Sequence, residues 1–224
     1  MSLAALDTAE PVLALREALG GQTDAWLVGG VVRDAWLGRP LGDVDVAVSG
    51  DPEQVARRVA RALDGPVFAL SEAFGSWRAL DGRRRFEVDV SALQGQTIDQ
   101  DLARRDFTIN AMAVPLAGGP ALDPHGGMED LERRTLRVLG PRAYAEDPLR
   151  PLRLVRLAAE LGFAADETTE QLTREAAPRL TEPSAERVYA ELRRAVSAPH
   201  VLDALGLAER LGVLGAVVPE LVAL

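Results

Sequence analysis

The chain has 224 residues, 47% of them hydrophobic and 26% charged, a balance that reads as an ordinary globular protein with a sizeable core. Cysteine is absent and only two histidines occur, His125 and His200, which excludes a disulfide framework, thiolate chemistry and a multi-histidine metal site. The net charge of −9 argues against a generally adhesive nucleic-acid binder, although all 25 basic residues are arginine and a local basic face remains compatible with that total.

Residues 11–20 read as a helix, with proline at its start and glycine at its end. AWLVGG (25–30) is a short apolar strand stopped by two glycines, and VVRDAWLG (31–38) a helix. DVDVAVS (43–49) reads as a strand in spite of its two acids, followed by an amphipathic helix over 51–63 and a strand over 66–70. SWRAL (76–80) and RRFEVDVSAL (84–93) read as a hairpin across Asp81-Gly82-Arg83. IDQDLARRD (98–106) is a short helix, and FTINAMAVPL (107–116) alternates as a strand would. A Gly/Pro-rich turn, a helix (MEDLERR) and a short strand (TLRVLG) follow. DPHGG (123–127) within that turn is structural, with Asp123 bonding locally and no catalytic role for His125. After Pro141 only helical patterns remain, over 148–163, 166–177, 184–196 and 201–214. The expected organisation is therefore an α/β part, residues 1–140, and an all-helical part, residues 141–224. No run approaches membrane-spanning length and the N-terminus lacks the order of a signal peptide, which fits a cytoplasmic protein.

Residues two apart on a strand share a face, so Asp43 and Asp45 point one way and Val44 and Val46 the other. Such alternation serves equally for a half-buried strand with a solvated face and for a metal site in which a divalent cation relieves the repulsion of two carboxylates. With so few histidines the ligands are oxygens, which favours Mg²⁺ or Mn²⁺. Context sharpens the second reading. Gly29-Gly30 leads into a helix carrying Arg33 and Asp34 in its first turn, where a close backbone approach and free N–H groups suit phosphate oxygens. Glu87 and Asp89 repeat the spacing of two, and either can supply a third carboxylate that also orients an attacking hydroxyl. In EDPLRPLR, Asp147 and Arg150 are spaced i, i+3 as neighbours on one helix face, with Arg153 one step further; alone, this is an ordinary ion pair.

GGVVRDAWLGRPLGDVDVAVSG, RRDFTINAMA, DPHGG and EDPLRPLRLVRLAAELGF, in that order, resemble the class II tRNA nucleotidyltransferases and the related bacterial poly(A) polymerases of the polymerase-β-like nucleotidyltransferase superfamily. The resemblance implies an α/β head with a five-stranded mixed sheet, followed by an all-α neck that binds RNA. It implies metal ligation by Asp43 and Asp45, with Asp89 favoured as the third catalytic carboxylate and Glu87 as the alternative. It places Gly29, Gly30 and Arg33 at the triphosphate, and Arg104, Arg105, Asp106 and Asn110 toward the nucleotide sugar and phosphates. Asp147 and Arg150, with Arg153 beside them, become a protein template for the base. A carboxylate acceptor next to a guanidinium donor complements cytosine and adenine and rejects uracil and guanine. The implied reaction is Mg²⁺-dependent addition from CTP, or ATP, to a tRNA 3′ end without a nucleic-acid template.

Two departures from the family pattern carry information. Only 17 positions separate Asp89 from Asp106, where relatives that add the terminal A carry a longer flexible loop. This points to addition of CC; full CCA addition, A addition, poly(A) synthesis and a non-catalytic RNA-binding fragment are the alternatives. The chain also ends soon after VVPELVAL, so the body and tail that grip the tRNA elbow are short or absent, and tRNA binding is expected to be weak and salt-sensitive.

Overall fold

The computed structural model describes residues 2–20, 24–71 and 75–221. Packing divides them into two units: residues 1–105 with 109–128, and residues 106–108 with 129–224. Among the described residues no helix is long and apolar enough to cross a membrane.

The first unit runs α1 (Ala5–Thr8), α2 (Glu10–Leu19), β1 (Ala25–Val28), α3 (Gly30–Trp36), β2 (Asp43–Val48), α4 (Pro52–Ala62), β3 (Val67–Ser71), β4 (Ser76–Leu80), β5 (Glu87–Ala92), α5 (Ile98–Leu102) and β6 (Ala113–Pro115). The strands form a mixed sheet in the order β3-β4-β5-β2-β1-β6, in which β2 and β5 are parallel and every other pair is antiparallel. The sheet has six strands where five were expected. The outermost, β6, is three residues of the strand expected over 107–116, pairing with β1. FTINAMAVPL is thus mostly not strand. Residues 106–114 are all buried, so its alternating polar residues do not mark a solvated face, and Thr108–Asn110 turn as a 3₁₀ helix.

One sheet face is apolar: Leu27, Val44, Val46, Val48, Ala79, Val88 and Val90 are all buried there. Its cover is α4, whose Val55, Ala56, Val59 and Ala60 recur at helical spacing and are buried, and whose N-terminus is capped by Asp51. The opposite face carries Asp43, Asp45, Glu87 and Asp89. Part of it is closed by α5, whose Ile98 and Leu102 pack with Val28, Ala47 and Ala113. The acids therefore lie where a half-covered sheet face meets solvent.

The β4–β5 hairpin has a wider loop than three residues. Leu80 pairs with Glu87, so residues 81–86 form the connection. Asp81, 3% exposed, holds it by accepting from the Arg85 backbone N–H, Nε and Nη2 at 3.2, 2.7 and 3.0 Å.

In the second unit, α6 (Gly127–Glu132), which straddles the division, and β7 (Thr135–Leu136) lead to α7 (Pro141–Glu146), α8 (Arg150–Leu161), β8 (Ala164–Ala165), α9 (Glu167–Ala176), α10 (Ala185–Val196), α11 (Val201–Arg210) and α12 (Val213–Val217). Helix α8 is buried nearly all round and packs against α10 and α11. One strand does occur after Pro141, contrary to expectation: Ala164–Ala165 pairs in parallel with β7, a two-residue match too short to leave a pattern in the sequence.

Candidate functional site

The parallel register of β2 and β5 sets Asp43 opposite Glu87 and Asp45 opposite Asp89. Directly opposed residues share a face, so four carboxylates form a two-by-two patch, with Val44, Val46, Val88 and Val90 anchoring the same strands from beneath. Asp43 is exposed. Asp45 is deeper, and its carboxyl is pushed up to about 6, first by burial and then by the neighbouring Asp89 and Asp43, against the opposing pull of Arg105 and Arg33. Burial and the two neighbouring acids together disfavour its ionised form more than Arg105 and Arg33 favour it.

Strand β4 supplies a cation that the sequence reading missed. Arg78 lies opposite Asp89 and donates from Nε and Nη2 to its two oxygens, each at 2.7 Å, while Nη1 pairs with Glu87. The hydrogen bond to Asp89 is the main reason the Arg78 guanidinium is held above its ordinary range. Among the described residues, no three Asp, Glu or His side chains converge as a ready metal cage. Mg²⁺ needs no such cage, because it commonly takes one or two carboxylates and completes its shell with water and substrate phosphates. Asp43 and Asp45 fit that donor set. Asp89 has each of its oxygens already taken up in a hydrogen bond from Arg78.

Beside Asp45, Gly29 takes φ +70° and Gly30 opens α3. A Cβ on Gly29 would stand 2.8 Å from Arg105 Nη1 and 3.8 Å from an Asp45 carboxylate oxygen, so both backbone conformation and space require glycine. Arg33 is 7% exposed and fixed by its neighbours, with Nε and Nη2 on Asp34 at 3.1 and 2.9 Å and Nη1 on Asn110 Oδ1 at 2.7 Å. The guanidinium of Arg105 is steered by Asp101, which accepts from Nε and Nη2 at 3.0 and 2.9 Å. Arg33, Asn110 and Arg105 thus gather around the glycine pair, whereas Arg104 is exposed in the turn after α5.

The connection from β5 to α5 is residues 93–97 and is tied down locally. Asp101 accepts from Gln94 N–H at 2.9 Å, Gln100 from Gln96 N–H at 2.7 Å, and Thr97 caps α5. Asp123 likewise holds its turn by accepting from Gly127 and Met128 N–H at 2.7 and 2.9 Å.

In the second unit, Asp106 accepts from Arg153 Nη1 at 3.1 Å and from Phe107 N–H at 2.8 Å. Arg153 is shared with Glu191 at 3.2 Å and lies 4.0 Å from Asp147. Burial lowers its pKa, but Asp106 and Glu191 outweigh this and hold it raised. Glu191, which sequence spacing does not single out, also binds Arg156. Asp147 and Arg150 are not two positions on one helix face. Pro148 disfavours helical backbone at Asp147, which stays extended at φ −142°, and α8 begins only at Arg150. The Asp147 carboxylate accepts from Leu149 N–H at 3.2 Å and from Arg187 Nη2 at 2.9 Å. Arg150 donates to the Ala143 carbonyl at 3.0 Å, and its pKa is lowered chiefly by burial.

Residues 25–137 match the family model for the poly A polymerase head domain, and residues 162–224 the model for the probable RNA and SrmB-binding site of polymerase A. The chain is 41% identical over 207 residues to the CC-adding tRNA nucleotidyltransferase of Geobacter sulfurreducens, covering 92% of this chain and 48% of that protein. It is 42% identical over 215 residues to the multifunctional CCA protein of Stenotrophomonas maltophilia, covering 89% and 52% respectively. It matches the solved structure of the Thermotoga maritima CCA-adding enzyme complexed with tRNA at a TM-score of 0.82 and 27% identity, over 98% of this chain and 56% of that one. The chain spans about half the length of the curated relatives it matches.

Proposed function

The chain belongs to the poly A polymerase head-domain family, and on that premise we propose that it carries the nucleotidyl-transfer site of an enzyme that adds CMP from CTP to tRNA 3′ ends, ending after two cytidines, with no nucleic-acid template. The observation that carries the reading is the carboxylate patch. Asp43 and Asp45 stand in register with Glu87 and Asp89, beside a glycine pair against which the guanidinium groups of Arg105 and Arg33 lie.

In this reading residues 1–140 are the catalytic head and residues 141–224 the RNA-binding neck. Asp43 and Asp45 hold a divalent cation, Mg²⁺ or Mn²⁺, which neutralises triphosphate charge and lowers the pKa of the attacking 3′-hydroxyl when bound. Asp89 lies on the β5 side of that pair and orients the hydroxyl. Gly29 and Gly30 let the triphosphate approach the backbone. Arg33 and Arg105 supply fixed positive charge there, Arg33 from beneath the glycine pair, and Asn110 locks its guanidinium. Arg104 reaches the phosphates from its exposed turn. Asp147 and Arg150 read the base, with the half-buried Arg153 and the buried Asp106 beside them at the nucleotide.

Termination after CC is supported by the tied-down connection at 93–97, which leaves no free loop to retune the site from C to A. Full CCA addition is the second reading, favoured by the matching identity to a multifunctional CCA protein.

The test is to incubate the chain with tRNA ending at the discriminator base, Mg²⁺ and CTP with or without ATP, and to sequence the 3′ ends. Products ending in CC agree with the proposal, and complete CCA overturns the termination argument. Growing A tails point to poly(A) synthesis. If this chain incorporates nothing and a longer one does, the missing requirement lies outside these residues.

A further inference from the structure

Arg78 is the one cation seated directly on the β5 acids among the described contacts, and it uses both oxygens of Asp89. We propose that Arg78 is a positioning residue that competes with the divalent cation for Asp89, so that Asp89 becomes a ligand only as Arg78 withdraws. The proposal rests on the metal-site reading above. Its basis is geometric and electrostatic: both Asp89 oxygens lie at 2.7 Å from guanidinium nitrogens, and a cation taking the remaining lone pair of either oxygen would stand against the positive charge of the fork, so the two exclude each other at Asp89. The geometry also provides for release. Nη1 already pairs with Glu87, so a guanidinium leaving Asp89 keeps an anionic partner on the same strand. The Arg78 side chain is 28% exposed and has solvent into which to turn. The two acids of β5 thereby acquire different roles, Asp89 as the exchangeable ligand and Glu87 as the acceptor that retains Arg78.

The test is Mn²⁺ binding by titration calorimetry on EDTA-stripped protein, for wild type, Arg78→Gln, Asp89→Asn and the double variant, with melting temperatures in EDTA and in Mn²⁺. Arg78→Gln should bind Mn²⁺ about tenfold tighter, the scale expected when a charge-assisted hydrogen bond no longer has to be broken. It should also melt lower in EDTA and recover with Mn²⁺. In the Asp89→Asn background the gain should vanish, since only competition for Asp89 produces it. An unchanged or weaker affinity in folded Arg78→Gln overturns the proposal. So does a gain that persists without Asp89, which would mark a general charge effect. If Arg78→Gln does not fold, Arg78→Met keeps the aliphatic stem without the charge and is judged by the same two criteria. Asp45→Asn separates the two levels. If it binds Mn²⁺ like wild type, the metal site itself is wrong and the Arg78 proposal falls with it. If it loses Mn²⁺ while Arg78→Gln gains nothing, only the Arg78 proposal fails.

Discussion

Asp45 and Asp89 face each other in register across the parallel strands β2 and β5, and each answers its charge differently. Asp89 takes a guanidinium, whereas Asp45 retains a proton up to about pH 6.

This difference predicts a pH dependence. The folded pKa of Asp45, about 6, lies above its ordinary value of 3.8, so the folded state binds a proton that the unfolded state has released between those values. The stabilising contribution is complete below pH 3.8 and is lost as the pH rises through 6. Asp45→Asn should therefore melt higher than wild type at pH 7.5 without added metal, match it near pH 3.5, and fail to bind Mn²⁺. In wild type the proton competes with the cation, so the apparent Mn²⁺ affinity should weaken as the pH falls below 6. Thermal melts at pH 3.5 and 7.5 and Mn²⁺ titration calorimetry across pH 5–8 measure the two effects; equal melting at pH 7.5 would contradict the first and a pH-independent affinity the second.

Gly29 and Gly38 form a matched pair for testing the phosphate approach. Both have positive φ, +70° and +67°, but a Cβ on Gly29 meets Arg105 while one on Gly38 meets nothing within 4 Å. Gly38→Ala should cost about 1–2 kcal/mol of stability and leave CTP affinity unchanged. Gly29→Ala should cost at least as much stability, since its ψ of −125° lies outside the left-handed helical region, and in addition bind CTP at least about tenfold more weakly, because Arg105 must move. Equilibrium denaturation and nucleotide titration on the two variants separate the terms.

Glu191 bridges Arg153 and Arg156, the latter with a side chain only 8% exposed. Glu191→Gln should destabilise the chain by about 2–3 kcal/mol, somewhat below the cost of stripping a buried charge bare, since Arg156 retains Glu160 and Arg153 retains Asp106. Urea unfolding reads this directly. A loss under 0.5 kcal/mol, the range of an ordinary surface change, would mean the bridge is incidental.

In the proposed reading Asp147 offers the base an acceptor, which an amide replaces partly with a donor. Asp147→Asn should raise UTP use relative to CTP by about tenfold in kcat/KM, since the uracil carbonyl no longer faces a carboxylate. Single-nucleotide extension assays with the four triphosphates decide it; unchanged discrimination would remove Asp147 from base selection.

Much of this architecture could be read before the structure, and the exceptions have definite causes. DVDVAV announces its strand because the valines need one buried face, and the long helices of the second unit announce themselves by spacing and caps. FTINAMAVPL misleads because its polar residues are buried and bonded, Thr108 to Asp130 and Asn110 to Arg33, so alternation there carries no face information. Arg78 is invisible because it depends on hairpin register. A three-residue turn would set Arg78 opposite Phe86, and only the six-residue loop bound by Asp81 moves it to Asp89. Asp81 followed four residues later by Arg85 was the available signal. The helix-face reading of Asp147 and Arg150 fails because Pro148 delays the helix, a rule that was legible in EDPLR itself.

The hairpin also sets an order of assembly. Arg78 and Asp89 are 11 residues apart in sequence, while Asp45 and Asp89 are four times as far apart. Two doublings of loop length add about 1.2 kcal/mol of closure entropy, so β4 and β5 zip first and β2 docks against them afterwards. When Asp43 and Asp45 reach their partners, Arg78 of the same hairpin already offsets one of the two negative charges on β5. The hairpin thus lessens the like charge that β2 meets on β5 during folding, without any bound ion. Folding φ-values higher at Arg78 than at Val44 would record that sequence of events.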